Sequence, residues 1–213
     1  MVIVEDHGLM AQSLRVALEA AGFAVAVIDV GVVSDVPQAV RDAVPDVVLL
    51  DLDLGEALDA TTILPSIRDV APVVMVTGVT DDVRLARCVR EGAVGIVAKS
   101  RPVADLLDAV ADVLATGTLL DRHEREEHLA LLRRHEAEQR DRLAPFERLT
   151  PREAAVLREL CEGRSVDRIA RDSVVSVATV RTQVRAILAK LGVGSQLAAT
   201  ALARQSGWYR GDA

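Results

Sequence analysis

Cysteine is scarce in this sequence, with two residues in 213, and neither belongs to a Cys-x-x-Cys pair. Cys88 and Cys161 lie far apart, and each falls inside a segment with helical spacing. Isolated cysteines of this kind are usually buried as small apolar side chains, and they stay free in a reducing compartment. We therefore expect two buried free thiols in a cytoplasmic protein.

Long apolar runs are also missing, since none approaches the roughly 18 residues of a membrane-spanning helix. The first residues, MVIVEDHG, have no basic region ahead of their apolar residues and turn acidic at Glu5. A signal peptide needs that basic region. The sequence therefore predicts a cytoplasmic protein with no membrane partner.

Charge is distributed unevenly along the chain. Residues 1–117 hold 18 acidic and 8 basic residues, residues 118–148 hold 8 and 7, and residues 149–213 hold 6 and 10. An acidic front and a basic rear indicate different partners for the two ends. We predict two domains, 1–117 and 147–213, joined by a charged linker, 118–146.

Short apolar runs alternate with helix-period segments in the first domain. This alternation predicts an α/β fold, a doubly wound five-stranded parallel sheet of flavodoxin-like type. Its helical spacing is clearest from Val103 to Leu114. The predicted strands are VIV (2–4), FAVAVI (23–28), DVVLLD (46–51), PVVMVT (72–77) and VGIVA (94–98).

The linker is rich in Arg and Glu and contains no Gly or Pro from Leu119 to Leu143. Opposite charges recur four residues apart, as in Arg122 and Glu126, which predicts an exposed helix that ends near Pro145. Three leucines, Leu129, Leu132 and Leu143, would also permit a coiled coil, but no apolar heptad is sustained. A solvated helix is the favoured interpretation.

The last domain opens with a capping box, LTPRE. Thr150 is the predicted N-cap, with Pro151 at the first helical position and Glu153 three residues after the cap. Three more helices are expected to open at serines, with Gly192 closing the third of the four helices. The serines are Ser165, Ser176 and Ser195.

Polar residues follow four strands of the predicted sheet: Glu5, Asp6, Asp51, Thr77 and Lys99. Carboxyl ends of parallel strands meet at one edge of a sheet, so we expect these side chains to converge. Three carboxylates in one crevice repel each other unless a cation joins them, and oxygen ligands suit Mg²⁺. A carboxylate can then attack phosphorus, with a hydroxyl and an ammonium group beside the phosphoryl oxygens.

Over residues 1 to about 116 the chain resembles the receiver domain of bacterial two-component response regulators. The matching motifs are VIVEDH, PDVVLLDL, PVVMVTG and GIVAKS, in the order and spacing of that family. The resemblance implies that a sensor histidine kinase phosphorylates Asp51, that Glu5, Asp6 and Asp51 hold Mg²⁺, and that Thr77 and Lys99 contact the phosphoryl group. It also implies that Asp53 binds the metal through its backbone carbonyl.

Two features depart from that family. Ile96 stands where a Tyr or Phe is usual, and the loop LGEALD after Asp53 lacks the usual Pro-Gly. Both favour an alternative, a transcription factor whose receiver-like domain is switched by a ligand or protein instead of by phosphate.

A further alternative is a phosphatase similar to the haloacid dehalogenases. The run VVLLDLDLG also fits their Asp-x-Asp motif, and Thr77 and Lys99 follow it as a Thr and a Lys do in those enzymes. Such enzymes place an acidic pair on a strand after the Lys, whereas helical spacing follows Lys99 here. The pair Glu5 and Asp6 favours the receiver.

The segment SVATVRTQVRAILAKLGV predicts the second helix of a helix-turn-helix. One helical stripe is apolar, and the opposite face carries Arg181, Thr182 and Arg185 beside small residues, a surface that fits a DNA major groove. From Leu149 to about Gly207 the chain resembles the output domain of LuxR/NarL-type regulators, through LTPRE, S-x-x-TV and ILAKLGV.

That second resemblance implies double-stranded DNA as a partner. It places Arg181, Thr182 and Arg185 at base or groove contacts, and Thr179 and Lys190 nearer the phosphates. It also implies a homodimer, formed through the receiver or through the helix from Gln196 to Gln205, where Ala198, Ala199, Ala201 and Ala203 would permit close approach. The sequence thus predicts a DNA-binding response regulator, and no enzyme apart from slow loss of its own phosphoryl group.

Overall fold

The computed structural model of the chain describes residues 1–55 and 58–210. Glu56 and Ala57, in the unusual loop after Asp53, lie outside the described residues, as do 211–213 at the end of the predicted last domain. The chain forms two compact units, 1–133 and 134–213.

A five-stranded parallel sheet with the order β2-β1-β3-β4-β5 forms the first unit, which confirms the predicted fold class. Its second strand begins three residues after Phe23, the start of the predicted apolar run. The strands are β1 (Val2–Glu5), β2 (Ala26–Asp29), β3 (Val48–Leu50), β4 (Val73–Thr77) and β5 (Gly95–Ala98).

Five helices alternate with these strands and cover both faces of the sheet. They are α1 (Gly8–Ala20), α2 (Val36–Ala43), α3 (Ala60–Ile67), α4 (Asp82–Glu91) and α5 (Val103–Thr116). One apolar core lies between the sheet and α1 and α5, and the other between the sheet and α2, α3 and α4. With both faces covered, the strands are apolar runs, and polar groups come only at their ends.

The linker forms one helix, α6 (Arg122–Glu147), as predicted, and an ion pair of 3.0 Å joins Arg122 Nε to Glu126 Oε1. The helix ends at Glu147, two residues after Pro145, which agrees with the prediction that it ends near Pro145. A proline cannot donate the N–H that would bond one turn back, and its ring crowds the carbonyl there, so a helix seldom continues far beyond it. The division between the two units falls within α6.

Four helices form the rest of the second unit: α7 (Pro151–Cys161), α8 (Val166–Asp172), α9 (Val177–Leu191) and α10 (Gln196–Gln205). The predicted capping box at Thr150 and Glu153 is confirmed, since each residue bonds the backbone N–H of the other. The three predicted serine caps are also confirmed. Gly192 ends α9 in the left-handed conformation, with φ of 67°, as its placement predicted.

Apolar residues from all four of these helices form a third core. The apolar stripe predicted on α9 faces it, with Val180, Ile187 and Leu191 buried. At its edge Phe146 stacks on Trp208, the single tryptophan, with ring centroids 5.0 Å apart.

Cys88 and Cys161 are both free and buried, as predicted. Burial raises the pKa of the Cys88 thiol to about 11, which keeps it protonated and unreactive. Among the described residues no single helix has the length and apolarity to cross a membrane. Only α9 and α10 together, bent by 54° at their break, pass that test.

Candidate functional site

A buried cluster of charges lies at the carboxyl edge of the sheet. Glu5 ends β1, Asp51 follows β3 and Lys99 follows β5, and the Asp51 N–H donates to Val4 O at 3.0 Å, which fixes the first two side by side. Lys99 Nζ donates to Glu5 Oε2 at 2.6 Å and to Asp51 Oδ2 at 2.8 Å. The two carboxylates are only 2% and 3% exposed, so one ammonium group pairs with two buried acids and leaves one negative charge uncompensated.

Burial shapes the electrostatics of this cluster. It raises the pKa of Glu5, and the negative charge of Asp51 acts in the same direction, although the hydrogen bond from Lys99 opposes the rise. Burial works to lower the pKa of Lys99, but the hydrogen bonds to Asp51 and Glu5 outweigh it and hold the pKa above its usual value. The lysine is therefore a fixed positive charge at the strand ends.

Asp6 and His7 border the cluster on its solvent side. His7 Nδ1 lies 2.6 Å from Asp6 Oδ1 and 3.2 Å from Glu5 Oε1, and the His7 N–H donates to Glu5 Oε1 at 3.1 Å. The hydrogen bond to Asp6 raises the pKa of His7. One ligand-type atom from each of Glu5, Asp6, His7 and Asp51 lies within 4.8 Å of all the others. Sequence reasoning gave His7 no separate role.

The cluster has the features of a site for a hard cation. Asp51 Oδ1 is buried and has no hydrogen-bond partner among the described residues, although a buried carboxylate oxygen almost always has one. Carboxylate oxygens are the donors that Mg²⁺ prefers. Glu5, Asp6 and Asp51 therefore fit the metal that the sequence predicted.

Thr77 and Asp53 are the two remaining residues of the predicted phosphoryl and metal site. Thr77 ends β4 and is buried, and its Oγ1 accepts a hydrogen bond from the Val79 N–H at 3.0 Å. Asp53 is exposed and forms an isolated bridge with Asp59. Two residues on, a Cβ added to Gly55 would lie 3.4 Å from Asp6 Oδ2, so this loop passes directly beside the acidic cluster.

A second candidate surface lies on α9 in the other unit. Thr179, Arg181, Thr182 and Arg185 are all exposed, on the face opposite the buried stripe. Within residues 1–55 and 58–210, neither Arg181 nor Arg185 has an ion-pair partner. Both guanidinium groups can therefore meet an external anion or base edge.

Lys190 lies near the end of α9 and forms an ion pair with Glu153 of the same unit. Its Nζ donates to Glu153 Oε2 at 2.5 Å, while the same oxygen accepts the Thr150 N–H at 2.7 Å. The bond from Lys190 lowers the pKa of Glu153, with the Thr150 N–H acting in the same direction. This ion pair fastens α9 to the start of α7, 37 residues earlier in the chain.

The turn before α9 is unusual. Val174 adopts the left-handed conformation with φ of 55°, and its side chain is 91% exposed. A β-branched residue is strained there. The Ser176 hydroxyl then caps α9 by accepting the Thr179 N–H at 3.0 Å, so the turn is short and well defined.

The proposed dimer face on α10 needs correction. Ala199 and Ala203 are fully buried in the core of their own unit, because residues four apart share one face of a helix. Ala198 and Ala201 are only partly buried, and the neighbouring Leu197 is 80% exposed. A contact through α10 therefore cannot use Ala199 or Ala203, and Leu197 is the large apolar side chain that this helix exposes.

Together these features define a class, two-domain regulators that pair a doubly wound α/β domain with a helix-turn-helix module. Residues 1–111 match the family described as the response regulator receiver domain, and residues 147–203 match bacterial regulatory proteins of the luxR family. The chain therefore belongs to the response regulators with a LuxR-type DNA-binding domain. The helix α5 follows Lys99 where a haloacid dehalogenase-like enzyme would need its acidic strand.

Full-length relatives agree with this assignment. The DNA-binding transcriptional activator DevR/DosR of Mycobacterium tuberculosis is 31% identical over 95% of this chain and 93% of that protein. The nitrate/nitrite response regulator protein NarP of Escherichia coli is 30% identical, with the same two coverages. Among solved structures, a complex of the two-component response regulator RcsB with DNA has a TM-score of 0.48 at 24% identity, covering 95% of this chain and 96% of that one.

Proposed function

We propose that this response regulator accepts a phosphoryl group on Asp51 from a sensor histidine kinase and controls transcription by binding paired DNA half-sites as a dimer. A cytoplasmic location follows from these two partners. One observation carries the first part: Asp51 is buried beside Lys99 and Glu5, and one of its carboxylate oxygens has no partner among residues 1–55 and 58–210.

The side chains at the strand ends have different roles in the transfer of the phosphoryl group. The Asp51 carboxylate attacks phosphorus, an acyl phosphate bond forms, and the bond to the kinase imidazole breaks. Lys99 and the Thr77 hydroxyl bind the phosphoryl oxygens. Glu5, Asp6, Asp51 and the Asp53 carbonyl would hold Mg²⁺, which would supply positive charge beside those oxygens. Slow hydrolysis of the acyl phosphate then returns Asp51 to its free carboxylate.

Intact mass measured after incubation with acetyl phosphate and Mg²⁺ tests this proposal. Wild-type protein gains one phosphoryl group, and Asp51→Asn gains none. Asp53→Asn is the matched control, two residues away and exposed, and it keeps the adduct because its backbone carbonyl is unchanged. An adduct on Asp51→Asn would assign the chemistry to a different residue, and no adduct on wild type would overturn it.

The DNA-binding half of the proposal rests on the free guanidinium groups of α9. Arg181 and Arg185, with Thr182 between them, face bases in the major groove, and Thr179 contacts phosphate. Lys190 donates one of its three N–H bonds to Glu153 and offers the others to phosphate. DevR/DosR, which is named a DNA-binding transcriptional activator, supports this assignment.

Replacing both arginines, Arg181→Ala with Arg185→Ala, tests the recognition helix. Each bidentate contact to a base is worth about 1–3 kcal/mol of discrimination, so specific binding to a selected site should fall to the non-specific level. Arg152→Ala, which removes an exposed charge from α7, is the control. Retained specificity in the double variant would show that α9 does not read the site.

One observation favours a second candidate function, a regulator switched without phosphate. Ile96, at the usual Tyr or Phe position, is half-buried and packs on the core shared with α2, α3 and α4. A branched aliphatic side chain has little room to change rotamer there. If Asp51→Asn and wild type bound DNA with equal affinity before and after phosphodonor treatment, this candidate would replace the first.

A further inference from the structure

The exposed face of α9 carries two adjacent rows of side chains. Arg181 and Arg185 form the arginine row, and Ala178 and Thr182 form a second row, because residues four apart lie on one face of a helix. All four side chains are exposed. Each row advances about 6 Å along the helix axis. The face therefore presents a charged stripe beside a stripe of small side chains.

The hydroxyl group of Thr182 is bonded to its own helix. Its Oγ1 donates to Ala178 O, the carbonyl one turn earlier, at 3.0 Å. The γ-methyl group is therefore the part of this side chain that is left free for a ligand. Because Ala178 also ends in a methyl group, the second row is a methyl row, made of Ala178 and Thr182.

The composition of α9 restricts which bases this face can read. Arginine pairs bidentately with guanine, Asn or Gln pairs with adenine, acidic side chains accept from cytosine, and small apolar groups pack on the C5-methyl group of thymine. The helix, VATVRTQVRAILAKL, contains no Asn, Asp or Glu. Its one glutamine, Gln183, is half-buried, and the Oε1 atom is shielded from solvent. The face thus has readers for guanine and thymine and no bidentate reader for adenine or cytosine.

We propose that α9 selects its half-site through guanine at the arginine row and through the C5-methyl group of thymine at the methyl row. The inference rests on the proposed function, in which α9 lies in the major groove, and it names the bases that the helix selects. Each row advances about 6 Å and bases stack about 3.4 Å apart, so the two bases that one row contacts lie about two steps apart.

Binding of the full-length protein to modified DNA tests the inference. Protein treated with acetyl phosphate and Mg²⁺ first selects its best site from a random duplex library. Uracil then replaces each thymine of the half-site, which removes only the methyl group, and 7-deazaguanine replaces each guanine, which removes only the N7 acceptor. In further duplexes, thymine·adenine pairs are changed to 5-methylcytosine·guanine or to cytosine·guanine.

Protein variants test the same contacts from the other side. Thr182→Ser keeps the hydroxyl and loses the methyl group, and Thr182→Val keeps the methyl group and loses the hydroxyl. Thr116→Ser is the matched control, because Thr116 is exposed on α5 of the other unit and its hydroxyl also donates to the carbonyl one turn earlier, Asp112 O, at 2.8 Å.

Uracil should weaken binding about fourfold at each thymine that the methyl row contacts, because one buried methyl group is lost. Thr182→Ser should lose a similar factor and become insensitive to uracil at its own position, while Thr182→Val and Thr116→Ser should match wild type. At a contacted guanine, 7-deazaguanine should cost about tenfold. 5-Methylcytosine·guanine should be tolerated better than cytosine·guanine, since the methyl group stays and no side chain reads the adenine.

The inference and the proposed function fail in different ways. If the protein binds a specific site that lacks guanine or thymine, or if uracil costs nothing, the inference fails and the proposed function stands. The same holds if Thr182→Val loses as much affinity as Thr182→Ser, because the hydroxyl would then be the reader. If the protein binds no sequence more tightly than random DNA, both fail.

Discussion

Glu153 should be the most sensitive polar residue of the DNA-binding unit. Its Oε2 accepts both the Thr150 N–H at the start of α7 and the Lys190 ammonium from α9, and the residue is 7% exposed. Glu153→Ala therefore removes half of a capping box and leaves a lysine without its partner. Thr150→Ala removes only the other half of the box.

The magnitudes follow from these contacts. Loss of an N-cap side chain costs about 1 kcal/mol, which is the expected cost of Thr150→Ala. A hydrogen bond to a charged group adds about 1.5–3 kcal/mol, so Glu153→Ala should cost roughly 2–3 kcal/mol. Glu153→Gln keeps an acceptor oxygen but no charge, and it should fall between the two. Glu162→Ala, which removes an exposed ion pair of 3.0 Å with Arg164, should cost less than about 0.5 kcal/mol.

The same ion pair predicts a dependence on pH. Lys190 holds the pKa of Glu153 below its usual 4.5 in the folded unit, so the unfolded chain binds the proton more readily. The stabilisation is therefore complete above pH 4.5 and is lost as the pH falls through the folded pKa. The advantage of wild type over Glu153→Gln should shrink in that acidic range and stay constant from pH 5.5 to 7.5.

Urea unfolding followed by tryptophan fluorescence measures these effects in the right unit. Trp208 is the only tryptophan, and it packs on the core of the second unit. For a slope of about 2 kcal/mol per molar urea, Glu153→Ala should lower the midpoint by roughly 1 M or more. Equal midpoints for the Glu153→Ala and Thr150→Ala variants would refute the argument, because the Lys190 contact would then contribute nothing.

Three further changes have defined outcomes. Lys99→Met leaves two buried carboxylates without their cation and should destabilise the first unit by on the order of 2–3 kcal/mol. Circular dichroism measures this loss, and Mg²⁺ should restore part of it. A neutral effect would mean that Lys99 does not pair with the carboxylates. Val174→Gly should raise stability by about 1 kcal/mol because glycine relieves the left-handed strain, and a loss in thermal unfolding would contradict that reasoning. Lys190→Gln should lower the salt dependence of DNA binding by about one phosphate contact, and an unchanged slope would remove Lys190 from the DNA surface.

The sheet and the helix starts could be predicted from the sequence because their signals are local. Apolar runs bounded by polar residues predicted five strands of a parallel sheet, and the spacing from Thr150 to Glu153 predicted a cap that the structure contains. Convergence of Glu5, Asp51 and Lys99 followed from parallel topology alone, since all three lie at carboxyl ends of strands.

The remaining features depend on geometry that no local pattern encodes. Lys190 meets Glu153 across 37 residues, and only the packing of α9 on α7 brings them together. His7 was given no separate role because it follows the acidic pair as in the resembled family, and its approach to Asp6 and Glu5 depends on side-chain rotamers.

The Thr77 hydroxyl joins the strand end to the start of α4. Its oxygen accepts the Val79 N–H at 3.0 Å, while its own hydrogen remains available to an incoming phosphoryl oxygen. Two residues after Val79, the Asp81 carboxylate caps α4 by accepting the N–H groups of Val83 and Arg84. Side-chain to backbone hydrogen bonds at Thr77 and at Asp81 therefore order the segment between β4 and α4, and a conformational change at Thr77 is expected to alter where α4 begins.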